Sequence, residues 1–138
     1  MMLGAFAAPL LWGAPSFSLA SPLQLAGAAL AAAGAALSIA GLASLGSALT
    51  PFPRPLDDAS LRQSGVYGWV RHPVYSGLVL ACFGWALMWL SAAGAVASVV
   101  AFFFFDRKSA YEERLLRARF PEYADYAKRV KKLLPGIY

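Results

Sequence analysis

Residues 74–105 read VYSGLVLACFGWALMWLSAAGAVASVVAFFFF, thirty-two residues without one Asp, Glu, Lys or Arg. As a single helix this run would be about 48 Å long at 1.5 Å per residue. That is well beyond the ~30 Å hydrocarbon core of a bilayer. Arg71 stands before the run, and Arg107 with Lys108 stands just after it. Cationic flanks gather on one side of a membrane, so both ends of the run belong on the same side. Two short legs meet both conditions. The run is therefore expected to form a helical hairpin over 74–110, turning near Ser91–Gly94, its second leg passing Phe105 into the interface.

Working outward, the rest of the chain repeats the same division. Hydrophobic residues make up 59% of the 138 and charged residues 14%, where soluble domains carry about 25% charged. No Asp, Glu, Lys or Arg occurs from Met1 to Pro53, so all charge lies in 54–71 and 106–138. The net charge of +5 comes mostly from the second zone. That excess is expected at a cytoplasmic membrane surface and not on nucleic acid. The length allows one membrane domain. Cys82, the only cysteine, falls inside the apolar run, which excludes an internal disulfide and argues against a metal cluster.

Upstream, residues 1–50 are expected to hold two membrane helices. The first, over 3–19, is interrupted by Pro9 and Pro15. Ser18-Leu19-Ala20 resembles a cleavage site, but no basic segment precedes it, so a secretory signal is not favoured. The second, Leu23 to Leu49, places Gly27, Ala31, Gly34, Ser38 and Gly41 at steps of four and three. Such a face lets a neighbouring helix approach closely inside lipid, where packing drives association. Pro51, Pro53 and Pro55 then end the helix, opening a polar loop through Asp57, Asp58, Arg62 and Gly65 that runs to residue 73.

Downstream, residues 111–138 are expected to form a cytosolic helical tail. Glu113 has Arg117 four residues on, a pairing that stabilises by about 0.3–0.5 kcal/mol on a solvated face. Glu112 has Leu116 at the same spacing and faces a less polar side. After Pro121, Tyr123, Tyr126, Val130 and Leu133 form an apolar stripe, with Lys128, Arg129, Lys131 and Lys132 mostly elsewhere. That pattern describes an amphipathic helix lying on anionic lipid or on the hairpin mouth. The fold expected is thus all-α and integral to the membrane, with about four transmembrane helices and a cytosolic amphipathic helix.

The border between loop and hairpin is Arg71-His72-Pro73-Val74-Tyr75-Ser76-Gly77, which includes the only histidine. Proline at the first helical position makes His72 the N-cap and Pro73 the first residue of the helix. A helix start offers unpaired N–H groups and a partial positive charge. With the imidazole, the Tyr75 hydroxyl and the bare Gly77 it would suit a bound cofactor, although a plain capped helix start fits the spacing equally well.

These residues resemble a known family. Gly65-Val66-Tyr67, the Arg71–Gly77 motif, Glu112-Glu113, and Phe120-Pro121-Glu122-Tyr123-Ala124-Asp125-Tyr126 occur in the order found in the isoprenylcysteine carboxyl methyltransferase and phospholipid methyltransferase superfamily. The resemblance covers roughly the C-terminal half. It implies a small helical membrane bundle in which the motif and the acidic pair enclose S-adenosylmethionine near the cytosolic surface. His72, Pro73, Tyr75, Gly77, Glu112 and Glu113 then become cofactor-binding candidates. No metal is implied. The chain has no G-x-G, so the glycine fingerprint of a dinucleotide-binding sheet is absent. Eukaryotic members carry additional N-terminal helices, which leaves the acceptor open. The Ala/Gly/Arg-rich composition points to a bacterial inner membrane.

Methyl transfer from a sulfonium is an in-line displacement that needs alignment and exclusion of water. A carboxylate acceptor would be held by Arg71 or Arg114, whereas an amine acceptor needs a base, for which His72 is the one candidate. The activity expected is therefore O-methylation of an isoprenylcysteine-like carboxylate carried by a lipid-like or prenylated molecule, ahead of N-methylation of a phospholipid amine. Sterol-type reductases using NADPH share a similar motif but place an acid directly after the glycine, where this chain has Leu78. A small four-helix transporter needs an ionisable residue within the membrane, and neither apolar half has one. A small membrane protein without catalysis is the remaining alternative.

Overall fold

The computed structural model describes residues 21–45 and 61–138. The expected first membrane helix over 3–19 and the Pro51–Asp58 part of the loop lie outside the described residues. Every described element is helical: α1 (Pro22–Leu45), a 3₁₀ turn (Gly65–Gly68), α2 (Pro73–Met88), α3 (Ala92–Arg119) and α4 (Tyr123–Arg129). Among the described residues, α1 is the helix long and apolar enough to cross a membrane. The apolar α2 has 16 residues, about 24 Å at 1.5 Å per residue. Among the described residues contacts gather into two compact units, one of 21–36 with Gly77–Phe104, the other of 37–45, 61–76 and Phe105–Tyr138.

In the first unit, α1 and α2 run antiparallel along the small-residue stripe. A Cβ on Gly34 would sit 2.6 Å from the Gly77 carbonyl and 3.0 Å from Ala81 Cα. One on Gly84 would sit 2.7 Å from both the Gly27 carbonyl and Ala31 Cα. Backbone meets backbone here, which only a missing side chain permits. The Gln24 amide donates to the Met88 carbonyl at 3.0 Å, satisfying an acceptor at the end of α2.

The reversal between α2 and α3 falls at Trp89–Ser91, at the leading edge of the expected Ser91–Gly94 turn. Ser91 N–H bonds to the Ala86 carbonyl at 2.9 Å and Leu90 N–H to Leu87 at 3.2 Å, with Leu90 at φ +49°. This is the 6→1 and 5→2 pair of a Schellman ending, with leucine where glycine is usual. Ser91 then opens the next helix, its Oγ accepting from Gly94 N–H at 3.0 Å. One short segment closes α2 and starts α3.

In the second unit, the last turns of α1 meet the start of α2. Ser38 Oγ donates to the Val74 carbonyl at 3.0 Å, and a Cβ on Gly41 would touch Val74 Cγ2 at 2.9 Å and Pro73 Cγ at 3.1 Å. The expected helix through Leu133 stops short, because α4 ends at Arg129 and Val130 is extended. The tail instead pairs with the motif: Arg71 N–H donates to the Lys131 carbonyl at 2.8 Å and His72 N–H to Lys132 at 3.2 Å. The apolar stripe survives the change of conformation. Tyr123, Tyr126 and Leu133 are buried together with Val70.

Candidate active site

The second unit brings the motif, the acidic pair and α4 together. His72 holds the N-cap position of α2, its carbonyl accepting from Ser76 N–H and Ser76 Oγ, both at 2.9 Å. Pro73 is fully buried beside it. The imidazole does not cap its own helix; Nε2 lies 3.1 Å from Glu113 Oε1 and Nδ1 lies 3.8 Å from Glu112 Oε2. One histidine stands between two carboxylates.

Those carboxylates differ in surroundings. Glu113 is 6% exposed, with Arg71 Nε at 2.8 Å from Oε1 and Arg117 Nη2 at 3.4 Å from Oε2. Burial alone would raise its pKa, but hydrogen bonds from His72 and Arg71 and the positive charge of both partners outweigh it and hold the carboxyl at about 2. Glu112 is more open, and its Oε1 accepts from the Tyr75 hydroxyl at 2.6 Å. The Tyr75 ring stacks on His72 at 5.7 Å between centroids and on Phe105 at 5.0 Å. Lys108 Nζ lies 5.2 Å from the same ring, within cation–π range.

Arg71, expected as a catalytic cation, has its guanidinium taken up by protein acceptors. Besides Glu113 it donates to the carbonyls of Ala127, at 3.0 Å, and Val130, which close the end of α4. Arg114 is exposed on α3, outside the cluster. Gly77 is buried and belongs to the first unit, its carbonyl against Gly34. The start of α2, expected to be open to an anion, has Val74 N 3.1 Å from where a Gly41 Cβ would stand. So His72, Pro73, Tyr75, Glu112 and Glu113 come together, with Arg71 as their support.

Four aromatic residues join the cluster that were not candidate site residues. Tyr126 donates to the Tyr67 carbonyl at 2.6 Å, and the Tyr67 hydroxyl reaches the Gly41 carbonyl at 3.5 Å. Burial first, then charge nearby, pushes Tyr67 up to about 12; Tyr126 is raised to about 12 by burial. Tyr123 is buried with its hydroxyl near Glu113 but outside normal hydrogen-bond geometry. Phe105 completes the stack. The sequence signal for the tyrosines was their place in the segments that resemble the family, with the apolar stripe besides for Tyr123 and Tyr126, and for Phe105 its position at the end of the apolar run.

Among the described residues every element is helical, and the cluster is a histidine flanked by two acids and walled by aromatic rings. Compared with known proteins, residues 23–123 match the family model described as phospholipid methyltransferase, well over half of the chain. The chain belongs to that family. It is also 39% identical over 83 residues to a probable protein-S-isoprenylcysteine O-methyltransferase of Oryza sativa subsp. indica, covering 59% of this chain and 44% of that one. Protein-S-isoprenylcysteine O-methyltransferase B of Arabidopsis thaliana is 37% identical over 75 residues, covering 53% and 38%. The Mus musculus protein-S-isoprenylcysteine O-methyltransferase is 39% identical over 83 residues, covering 59% and 29%. The chain thus spans less than half the length of these relatives.

Proposed function

We propose that the chain is a membrane methyltransferase that moves the methyl group of S-adenosylmethionine to an isoprenylcysteine-like carboxylate on a membrane-associated acceptor. The observation that carries this reading is the pairing of a partly open Glu112 with the stacked rings of His72, Tyr75 and Phe105. The donor set fits the cofactor by its chemistry. A carboxylate suits a sulfonium, an ammonium or sugar hydroxyls, and flat rings suit a purine base. When bound, S-adenosylmethionine supplies an electrophilic methyl on a positively charged sulfur.

The protein's own contribution is placement and exclusion of water. Tyr75 holds one oxygen of Glu112 and leaves the other to a ligand. A carboxylate acceptor attacks already deprotonated, so no base is required. Glu112 with the rings of His72, Tyr75 and Phe105 would hold the methyl donor so that its methyl lies in line with an oxygen of that carboxylate. Arg114, exposed on α3 outside the cluster, is one cation that a carboxylate approaching along α3 would meet. The tail that pairs with the motif would help keep water from the cluster.

The acceptor is lipid-like because a chain built largely of apolar helices can keep a hydrocarbon tail in the bilayer, at about 0.8 kcal/mol per buried methylene. The cationic residues around the cluster support a position at the cytoplasmic face of a bacterial inner membrane, within a bundle of about four spans. A phospholipid amine is the second reading, favoured by the description of the matching family. Purified protein offered labelled S-adenosylmethionine with a prenylcysteine analogue, with phosphatidylethanolamine, and with a short water-soluble thiol acid tests the choice. Base-labile label on the prenylcysteine is expected. Base-stable label on the amine lipid alone would reverse the order of acceptors, and transfer to the soluble acid alone would contradict a lipid-like acceptor.

A further inference from the structure

The two adjacent glutamates face different nitrogens of the same histidine, and their roles separate on that geometry. Glu113 Oε1 receives Arg71 Nε at 2.8 Å and lies 3.1 Å from His72 Nε2, while its other oxygen meets Arg117. An ionised carboxylate has no proton to donate. The hydrogen bond between Glu113 and Nε2 therefore requires the proton on Nε2. Nδ1 makes no hydrogen bond with Glu112, since 3.8 Å exceeds hydrogen-bond length. In a neutral imidazole, a proton on Nε2 leaves the lone pair on Nδ1, the nitrogen that faces the open acid.

We infer that Glu113 is a positioning residue that fixes His72 as the Nε2–H tautomer, so that Nδ1 and Glu112 Oε2 form a pair of acceptors for one hydrogen-bond donor of the ligand, an ammonium or a hydroxyl. A donor about 2.8 Å from each acceptor fits their separation. Arg71 fixes the orientation of Glu113 and, through the carbonyls of Ala127 and Val130, ties it to the end of α4. This is the arrangement by which an outer carboxylate sets which nitrogen of a histidine faces its ligand. Glu112 is the acid that meets the ligand.

The chain has one histidine, so protein labelled with ¹⁵N-histidine gives a single pair of ring-nitrogen signals. Spectra of the ligand-free protein in detergent are expected to show a protonated Nε2 and an unprotonated Nδ1. Glu113→Met should convert this to a tautomer mixture, whereas Glu112→Met should leave it unchanged. Glu113→Gln, whose amide oxygen still accepts, should keep the Nε2–H form and bind S-adenosylmethionine within about threefold of the unsubstituted protein, against at least tenfold weakening in Glu113→Met. A proton on Nδ1 in the unsubstituted protein, on both nitrogens, or a tautomer indifferent to Glu113→Met would overturn the inference. Should Glu113→Met not fold, the unsubstituted spectrum and Glu113→Gln still decide it. The ligand half rests on the methyl-donor reading, but the ligand-free spectrum does not, so the two fail separately.

Discussion

Adjacent residues on an α-helix point about 100° apart, and that rotation gives Glu112 and Glu113 different surroundings. Glu113 points among Arg71, His72 and Arg117; Glu112 meets the Tyr75 hydroxyl. Because the folded carboxyl of Glu113 is held at about 2 against an ordinary 4.5, its ionisation favours the folded state. The sign follows from linkage: the contribution is fully present above about pH 4.5 and is lost as pH falls toward 2. The thermal unfolding midpoint in detergent should fall as pH is lowered across that window, and Glu113→Gln should flatten part of the slope; an unchanged slope would remove Glu113 from the acid response. The tyrosines offer a second contrast. Tyr126→Phe removes a 2.6 Å bond to the Tyr67 carbonyl and should cost about 1 kcal/mol or more in unfolding free energy. Tyr123→Phe removes a buried hydroxyl without a normal hydrogen bond and should be near neutral. Equal losses would contradict this division.

At the scale of the element, the hairpin reversal and the helix contact are the testable features. Leu90 holds φ +49°, a left-handed conformation that disfavours a side chain by about 1–2 kcal/mol. Leu90→Gly should therefore be neutral or stabilising despite the lost apolar area. Gly34→Ala should destabilise by about 1–3 kcal/mol, because its Cβ would meet the Gly77 carbonyl at 2.6 Å. Unfolding midpoints of the two variants check both signs. The hairpin was legible because charge ended at both borders of one apolar run, and the Gly27–Gly34–Gly41 stripe because its spacing matches the helix repeat. The end of α4 was not. Tyr123, Tyr126, Val130 and Leu133 keep a helical period, and nothing local stops the helix. What stops it is tertiary: backbone pairing of Lys131 and Lys132 with the motif and the reach of Arg71 into the last carbonyls.

For the whole molecule, the same long-range contacts account for what the sequence left open in the site. His72, Tyr75, Glu112 and Glu113 could be selected together by their resemblance to a family, but which acid holds the histidine depends on how α2 faces α3. Arg71 looked available for a substrate until α4 supplied it with partners. The central claim is that this cluster holds S-adenosylmethionine. Titration of the purified protein with S-adenosylmethionine and, separately, NADPH, followed by intrinsic fluorescence or calorimetry, tests it most directly. Saturable binding of S-adenosylmethionine and none of NADPH is expected, with Tyr75→Ala and Glu112→Ala each weakening affinity at least tenfold, about 1.4 kcal/mol, while the variants remain folded. Binding of NADPH instead, or an affinity for S-adenosylmethionine untouched by both substitutions, would contradict the account.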